Sequence, residues 1–367
     1  MEKHKNYEFF LLSLILVGIL GYKMNKLITV KSKSQNPPTC SESVNQVCKM
    51  NVDKSFRYYN FTVNYEWKQI SQHLKDLVLT YEYKTYEFTN IIMYKPKLCT
   101  PKQCLAFLIP ARDRESHLKQ LMYHLPEILM QQNLCFSLFI LDQFDNETIF
   151  NKAKLYNAAY TEIKNILKPI EISDIFDCLV FHDVDLLPQN LTIPYVCSLY
   201  PVHQPVHLSV ALTKYGYHFS NPRMIGGVAL FTPKIFENVN GWSNKFWGWG
   251  GEDDNMFYRV SKLRYEIQRP EFKCKLTDEM KRRYKRYIRS SDPFNCAKWQ
   301  MIGHRRDKNN PENISRKKFV KKVEIDDGLT NLNYSLKSFN FKHEIFNYIL
   351  IDNEAPYLKK YDFIASG

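Results

Sequence analysis

Residues 104–141 read CLAFLIPARDRESHLKQLMYHLPEILMQQNLCFSLFIL. The runs 105–110 (LAFLIP) and 136–141 (FSLFIL) are short and apolar, as in strands covered on both faces. Between them Leu118, Leu121, Met122, Leu125, Ile128 and Leu129 recur at helical spacing. The stretch is a βαβ unit. Downstream, a helix over about 151–167 presents Ala153, Asn157, Ala159, Ile163 and Ile166 on one face and leads to a third buried strand, 178–183 (CLVFHD), which ends in Asp183-Val184-Asp185. This alternation predicts an α/β fold with a Rossmann-like nucleotide-binding half. Ligands of such sheets bind at the carboxyl ends of the strands, where the acidic triplet falls. From Leu208 the pattern changes to short strands (208–212, LSVAL; 227–231, GVALF), glycine-rich loops and a helix beginning near Asp253.

Upstream, 7–22 (YEFFLLSLILVGILGY) is almost wholly apolar, follows Lys3 and Lys5, and is ended by Lys23 and Lys26 without a small-residue cleavage site. It is shorter than the ~20 residues of a typical span, yet suits the thinner early secretory membranes. The expected layout is a cytoplasmic tail (1–6), a transmembrane signal anchor (7–24), a polar stem with Pro37 and Pro38 (25–57) and a luminal catalytic domain (58–367). Five sequons, at Asn60, Asn146, Asn190, Asn313 and Asn333, and nine cysteines fit a luminal chain with disulfides. The spacing of the cysteines does not decide their pairing, and no CxxC or Cys/His set at zinc spacing is present. The net charge of +13 is scattered over the 367 residues, with denser patches at 281–289 and 316–322, and no nucleic-acid module accompanies it.

Three constellations carry chemistry. Asp183 and Asp185 end a strand and are suited to holding a divalent ion against a diphosphate, although two acids after a strand also make an ordinary turn or cap. The segment Trp247-Gly248-Trp249-Gly250-Gly251-Glu252-Asp253-Asp254 is more specific. Three consecutive acids exceed what a helix cap needs, and a carboxylate among them is a candidate general base, with an indole beside it to stack on a sugar. Met301 and His304, three residues apart, converge with a D-x-D site only in its company; their thioether and imidazole favour manganese over magnesium or calcium.

Together these residues strongly resemble the β-1,4-galactosyltransferase family, from about Cys99 to about Gly328. The motifs, in the family's order, are IPARDRESHL (109–118), FNKAKLYNAAY (150–160), FHDVDLLP (181–188), IGGVALF (225–231), NGWSNKFWGWGGEDD (240–254), MIGHRRDKNN (301–310) and DGL (327–329). The resemblance implies a GT-A fold, a single-pass type II protein of the Golgi membrane, and an inverting, Mn2+-dependent transfer from a UDP-sugar to a glycan ending in N-acetylglucosamine. It implies Asp185, Met301 and His304 as manganese ligands and Asp253, with Glu252, as catalytic acids. It places Pro110, Ala111, Arg112, Asp113, Arg114, Phe150, Asn151, Lys152, Asp183, Val184, Lys214, Met224, Gly227, Trp249, Arg305 and Arg306 at the donor. Gly251, Glu252, Asp253, Asp254 and Arg316 fall at the acceptor, 302–322 forms a closing loop, and Cys178 pairs with Cys197.

The chain departs from the family at Met224, where galactose-using members carry tyrosine and N-acetylgalactosamine-using relatives carry isoleucine or leucine. UDP-galactose is the expected donor, with UDP-N-acetylgalactosamine as the alternative, since methionine leaves room for a 2-acetamido group. Lys152 stands where arginine is common, Arg305 where serine is common, and Lys317 and Lys318 replace apolar acceptor-pocket residues. From other functional classes come a catalytically silent, lectin-like sugar-binding module and a structural, partner-binding secretory protein. The complete set of Asp185, Met301, His304 and Asp253 argues against the first, and the number and order of the motifs against the second.

Overall fold

The computed structural model describes residues 59–355 apart from 60–61, 78–80, 86–88, 98–99, 145–147, 190–192, 198–202, 216–220, 270–297, 303–319 and 325. The expected tail, anchor and most of the stem lie outside these residues, as do His304, Arg305, Arg306 and Arg316. Among the described residues no helix is long and apolar enough to cross a membrane.

The chain runs α1 (Trp67–Leu77), β1 (Tyr81–Thr85), β2 (Ile92–Pro96), β3 (Cys104–Pro110), α2 (Glu115–Gln131), β4 (Cys135–Gln143), α3 (Lys152–Leu167), α4 (Ile172–Ile175), β5 (Cys178–His182) and β6 (Leu186–Pro188). It continues through β7 (Val206–His207), β8 (Ala211–Leu212), β9 (Val228–Phe231), α5 (Pro233–Asn238), α6 (Glu252–Lys262), β10 (Lys298–Met301), β11 (Ser335–Lys342) and β12 (Phe346–Asp352).

The expected βαβ unit is β3-α2-β4, whose strands pair in parallel from Cys104 opposite Cys135 to Pro110 opposite Leu141. Every residue of β3 is buried. Leu105, Phe107 and Ile109 join one core, beneath α1 and α2, while Ala106 and Leu108 join the other, beneath α3. Alternation into two cores explains why the run is apolar throughout. Fully burying a side chain such as Phe107 contributes about 1.5–3 kcal/mol. Helix α3 starts at Lys152 because the Asn151 side chain accepts a hydrogen bond from the Lys154 N–H and caps it.

The main sheet runs β1-β2-β4-β3-β5-β9-β7, with β12 also on β4 and β11 on β12. It is mixed: β9 is antiparallel to β5, and β12 parallel to β4. A small second sheet, β6-β10-β8, lies beside the carboxyl end of β5. Disulfides join Cys104 to Cys135 and, as the resemblance implies, Cys178 to Cys197. Three features differ from the sequence reading. Helix α6 begins one residue early, at Glu252, and α1-β1-β2 and the β11–β12 hairpin add to the sheet at places that local pattern does not reveal.

Candidate active site

A cavity of about 410 Å³ opens at the carboxyl ends of β3 and β5. Of the residues expected at a site, Pro110, Arg112, Arg114, Phe150, Lys152, Asp183, Val184, Asp185, Lys214, Met224, Gly227, Trp249, Gly251, Glu252, Asp253, Asp254 and Met301 line it. Ala111, Asp113 and Asn151 do not. Ala111 continues the sheet by donating its N–H to Leu141 O (2.9 Å), Asp113 has φ 54° in the turn before α2, and Asn151 is a fully buried helix cap. The sequence reading missed Gly226, Ser209 and Asn221, which also line the cavity.

The acids meet around one cation. Lys152 Nζ lies 2.9 Å from Glu252 Oε1, 3.3 Å from Asp183 Oδ1 and 3.4 Å from Asp253 Oδ1. Burial pushes the Asp253 carboxyl well above the usual range, opposed by Lys152 and reinforced by Glu252 and Asp183. Burial likewise raises Asp183 to about 6, again against the pull of Lys152. His182, beneath the triplet, is lowered to about 4 by burial. Its Nδ1–H donates to the Asp183 carbonyl (2.8 Å), leaving Nε2 to accept from the Tyr195 hydroxyl (3.2 Å).

Asp253 is seated on a glycine. A Cβ added at Gly226 would stand 2.1 Å from Asp253 Cγ and 2.3 and 2.4 Å from its oxygens. The Ile225 N–H donates to Asp253 O (3.2 Å), Ser209 Oγ to Gly226 O (2.9 Å), and the Asp183 N–H to Gly227 O (2.7 Å). One loop therefore joins the two acidic motifs. Gly251 precedes α6 with φ 101°, a conformation that favours glycine, and Glu252, Asp253 and Asp254 fill the first turn, where the helix dipole favours negative charge. The members of this acidic run occupy the helix start and also line the cavity. Glu252 Oε2 is buried without a hydrogen-bond partner among the described residues, while Oε1 faces Lys152.

The base of α6 is fixed by a buried ion pair. Arg259 Nη2 lies 2.9 Å from Asp327 Oδ2, which also accepts from Ser243 Oγ (2.5 Å), while Arg259 Nε donates to Asn255 Oδ1 (2.8 Å). On the far wall, Arg112 donates to Thr148 O (2.8 Å) and its guanidinium carbon lies 4.7 Å from the Phe150 ring centre. The Gly248 N–H donates to Phe150 O (2.8 Å), tying that wall to the tryptophan-glycine loop. Lys214 Nζ stands 5.6 Å from the Trp249 ring centre.

The antiparallel β6–β10 ladder sets Met301 opposite Leu186, next to Asp185, and the Ile302 N–H donates to Asp185 O at 2.7 Å. Backbone pairing thus sets Met301 beside Asp185 on the cavity wall, where the Asp185 carboxylate is the kind of oxygen donor that manganese takes. Among the described residues no three His, Cys, Asp or Glu side chains form a metal-holding group; the third expected ligand, His304, lies outside them.

A family model described as the N-terminal region of glycosyl transferase group 7 matches residues 61–198, and one described as the N-terminal domain of galactosyltransferase matches 206–286. β-1,4-Galactosyltransferase 3 of Bos taurus is 36% identical over 248 residues, 67% of this chain and 54% of that protein. The chain belongs to the β-1,4-galactosyltransferase family. β-1,4-Galactosyltransferase 4 of Mus musculus is 37% identical over 67% of this chain and 62% of its own length. The chain spans little more than half the length of the Bos taurus relative. Among solved structures, the catalytic domain of Drosophila β-1,4-galactosyltransferase 7 with xylobiose superposes with a TM-score of 0.54 at 25% identity, covering 69% of this chain and 95% of that one. A mutant of the same Drosophila enzyme, in complex with manganese, UDP-Gal and xylobiose, matches equally well. The α/β architecture is that of these GT-A-type catalytic domains.

Proposed function

We propose that this protein is an inverting hexosyltransferase that moves galactose from UDP-galactose, in β-1,4 linkage, to a terminal N-acetylglucosamine of a glycoprotein or glycolipid. The observation that carries the reading is the Asp253 carboxyl, held on Gly226 inside the cavity among Lys152, Glu252 and Asp183, with its pKa raised by burial. Asp253 takes the proton from the acceptor hydroxyl as that oxygen attacks the anomeric carbon. The bond to UDP breaks on the opposite face, and the proton remains on Asp253. Glu252 Oε2 accepts a hydrogen bond from the acceptor sugar. Lys152 places its charge beside the diphosphate, and Arg112 with Phe150 holds the nucleotide. Asp185, Met301 and His304 would hold manganese, which when bound offsets the charge developing on the leaving diphosphate.

UDP-N-acetylgalactosamine is the second donor reading, favoured by Met224 in the cavity wall. The protein is further proposed to be a type II Golgi membrane protein anchored by 7–24, which the two disulfides among its described residues and an exposed sequon asparagine, Asn333, support. UDP release measured with manganese, either donor and N-acetylglucosamine-ended acceptors tests the activity, and no release with any pair overturns it. Asp253→Asn is expected to abolish transfer while leaving UDP binding nearly intact. Loss of both together counts against Asp253 as base. Met224→Tyr is expected to bias the enzyme toward galactose, and an unchanged donor ratio removes Met224 as selector.

A further inference from the structure

The donor-facing segment 221–227 is pinned at both ends to catalytic elements. Asn221 Nδ2 donates to Asp254 Oδ1 (2.8 Å), and Ile225, Gly226 and Gly227 bond to Asp253, Ser209 and Asp183. Its middle is held from outside the cavity. Arg269 Nη2 donates to Pro222 O at 3.1 Å and to Met224 O at 3.3 Å, so one terminal nitrogen with two hydrogens spans two carbonyls. Arg269 has a firm base, because the preceding Gln268 donates its N–H to Pro205 O (2.8 Å) and accepts from the His207 N–H (2.9 Å) at β7.

We propose that Arg269 is a positioning residue for donor choice: by holding the Met224 carbonyl it sets how far the Met224 side chain stands from the donor sugar. This rests on the hexosyltransferase reading above. Methionine is flexible, so its own rotamers do not define a wall; the backbone it hangs from does. The two donors differ by a 2-acetamido group at the sugar, and a shift of this segment alters the space for that group. The nucleotide-facing residues Arg112, Phe150 and Lys152 lie on other elements and are untouched. The sequence reading gave Arg269 no role.

The test uses the full-length protein with Arg269→Gln, which removes the charge, and Arg269→Lys, which keeps a cation able to reach one carbonyl. Transfer from both donors, UDP affinity and thermal midpoint are measured for each. Arg269→Gln is expected to change the ratio of kcat/KM between the donors by about tenfold, the scale on which a pocket registers one or two carbon atoms. UDP affinity holds, and Arg269→Lys returns the ratio toward wild type. An unchanged ratio, or equal losses for UDP and both donors with a lowered midpoint, overturns the proposal. If the wild-type protein transfers neither sugar, the functional reading has failed. Calorimetric binding of the two UDP-sugars to wild type and Arg269→Gln then decides the inference by the same ratio.

Discussion

Replacing Gly226 by alanine tests the seat of Asp253 with a single methyl group. The added Cβ would stand 2.1 Å from Asp253 Cγ, whereas ordinary contact begins at 3.4 Å, so the carboxyl must retreat by 1.3 Å. Retreat is impeded, because Asp253 O is tied to the Ile225 N–H and Asp253 Oδ1 lies 3.4 Å from Lys152 Nζ. A misplacement of about 1 Å costs on the order of 100-fold in rate, or about 2.7 kcal/mol of transition-state stabilisation. Gly226 is not among the glycines with positive φ, so alanine brings no backbone strain. The expected result is kcat reduced about 100-fold with donor KM nearly unchanged and a thermal midpoint lowered by no more than corresponds to the about 1–3 kcal/mol of local overpacking. Steady-state kinetics with calorimetric UDP binding and a melting curve separate these quantities. A variant with wild-type kcat refutes the seat, and one that loses UDP binding in step with kcat shows a general disturbance of the site instead.

The raised pKa of Asp253 fixes the direction of its pH effects. The base must be ionised, so kcat/KM is expected to fall with acidification at a pH above that of an exposed carboxylate; a limb near pH 4 contradicts the burial argument. Lys152→Gln removes the cation that opposes the rise, so the limb of its residual activity should move higher still, and an unmoved limb excludes Lys152 as counter-charge. For stability, the folded protein holds the Asp253 proton more tightly than the unfolded chain. The resulting stabilisation is present below the unfolded pKa and is lost as pH rises through the folded one. Asp253→Asn should therefore be at least as stable as wild type near pH 8, by denaturant unfolding, with its advantage shrinking toward pH 4. Arg259→Met leaves Asp327 buried without its cation and is expected to cost about 3–5 kcal/mol in the same assay; a loss under about 1 kcal/mol would show that the pair is not the anchor of α6.

The central βαβ unit was legible because β3 and β4 are buried on both faces, so each run is apolar without interruption. Asn151 marked the start of α3, where its side chain caps the helix. The acidic motifs were legible as chemistry, and backbone pairing of β6 with β10 explains why Met301 arrives beside Asp185. Gly226 was not legible as a seat, since a glycine pair before a buried strand signals a close approach without naming what approaches. Lys152 was read as a donor-site residue, and its contacts with three carboxylates depend on α3 meeting both the end of β5 and the start of α6, which local pattern does not encode. The β11–β12 hairpin was missed for a related reason. The alternating burial of β12 is ordinary, and only its distant partner β4 makes it part of the main sheet.

That late strand has a consequence for how the protein is made. β4 takes part of its hydrogen bonding from Asn347–Ile351, more than two hundred residues downstream, and Asn347 itself reaches back to Ile92 and Leu138. During synthesis the nascent domain must therefore wait with part of one edge of β4 open until residues 347–351 have emerged. Such an edge is slow to close and prone to pairing with other chains. Maturation of this protein is thus tied to β12, and a premature stop codon before it would leave the cavity-lining residues encoded but the sheet that carries them unfinished.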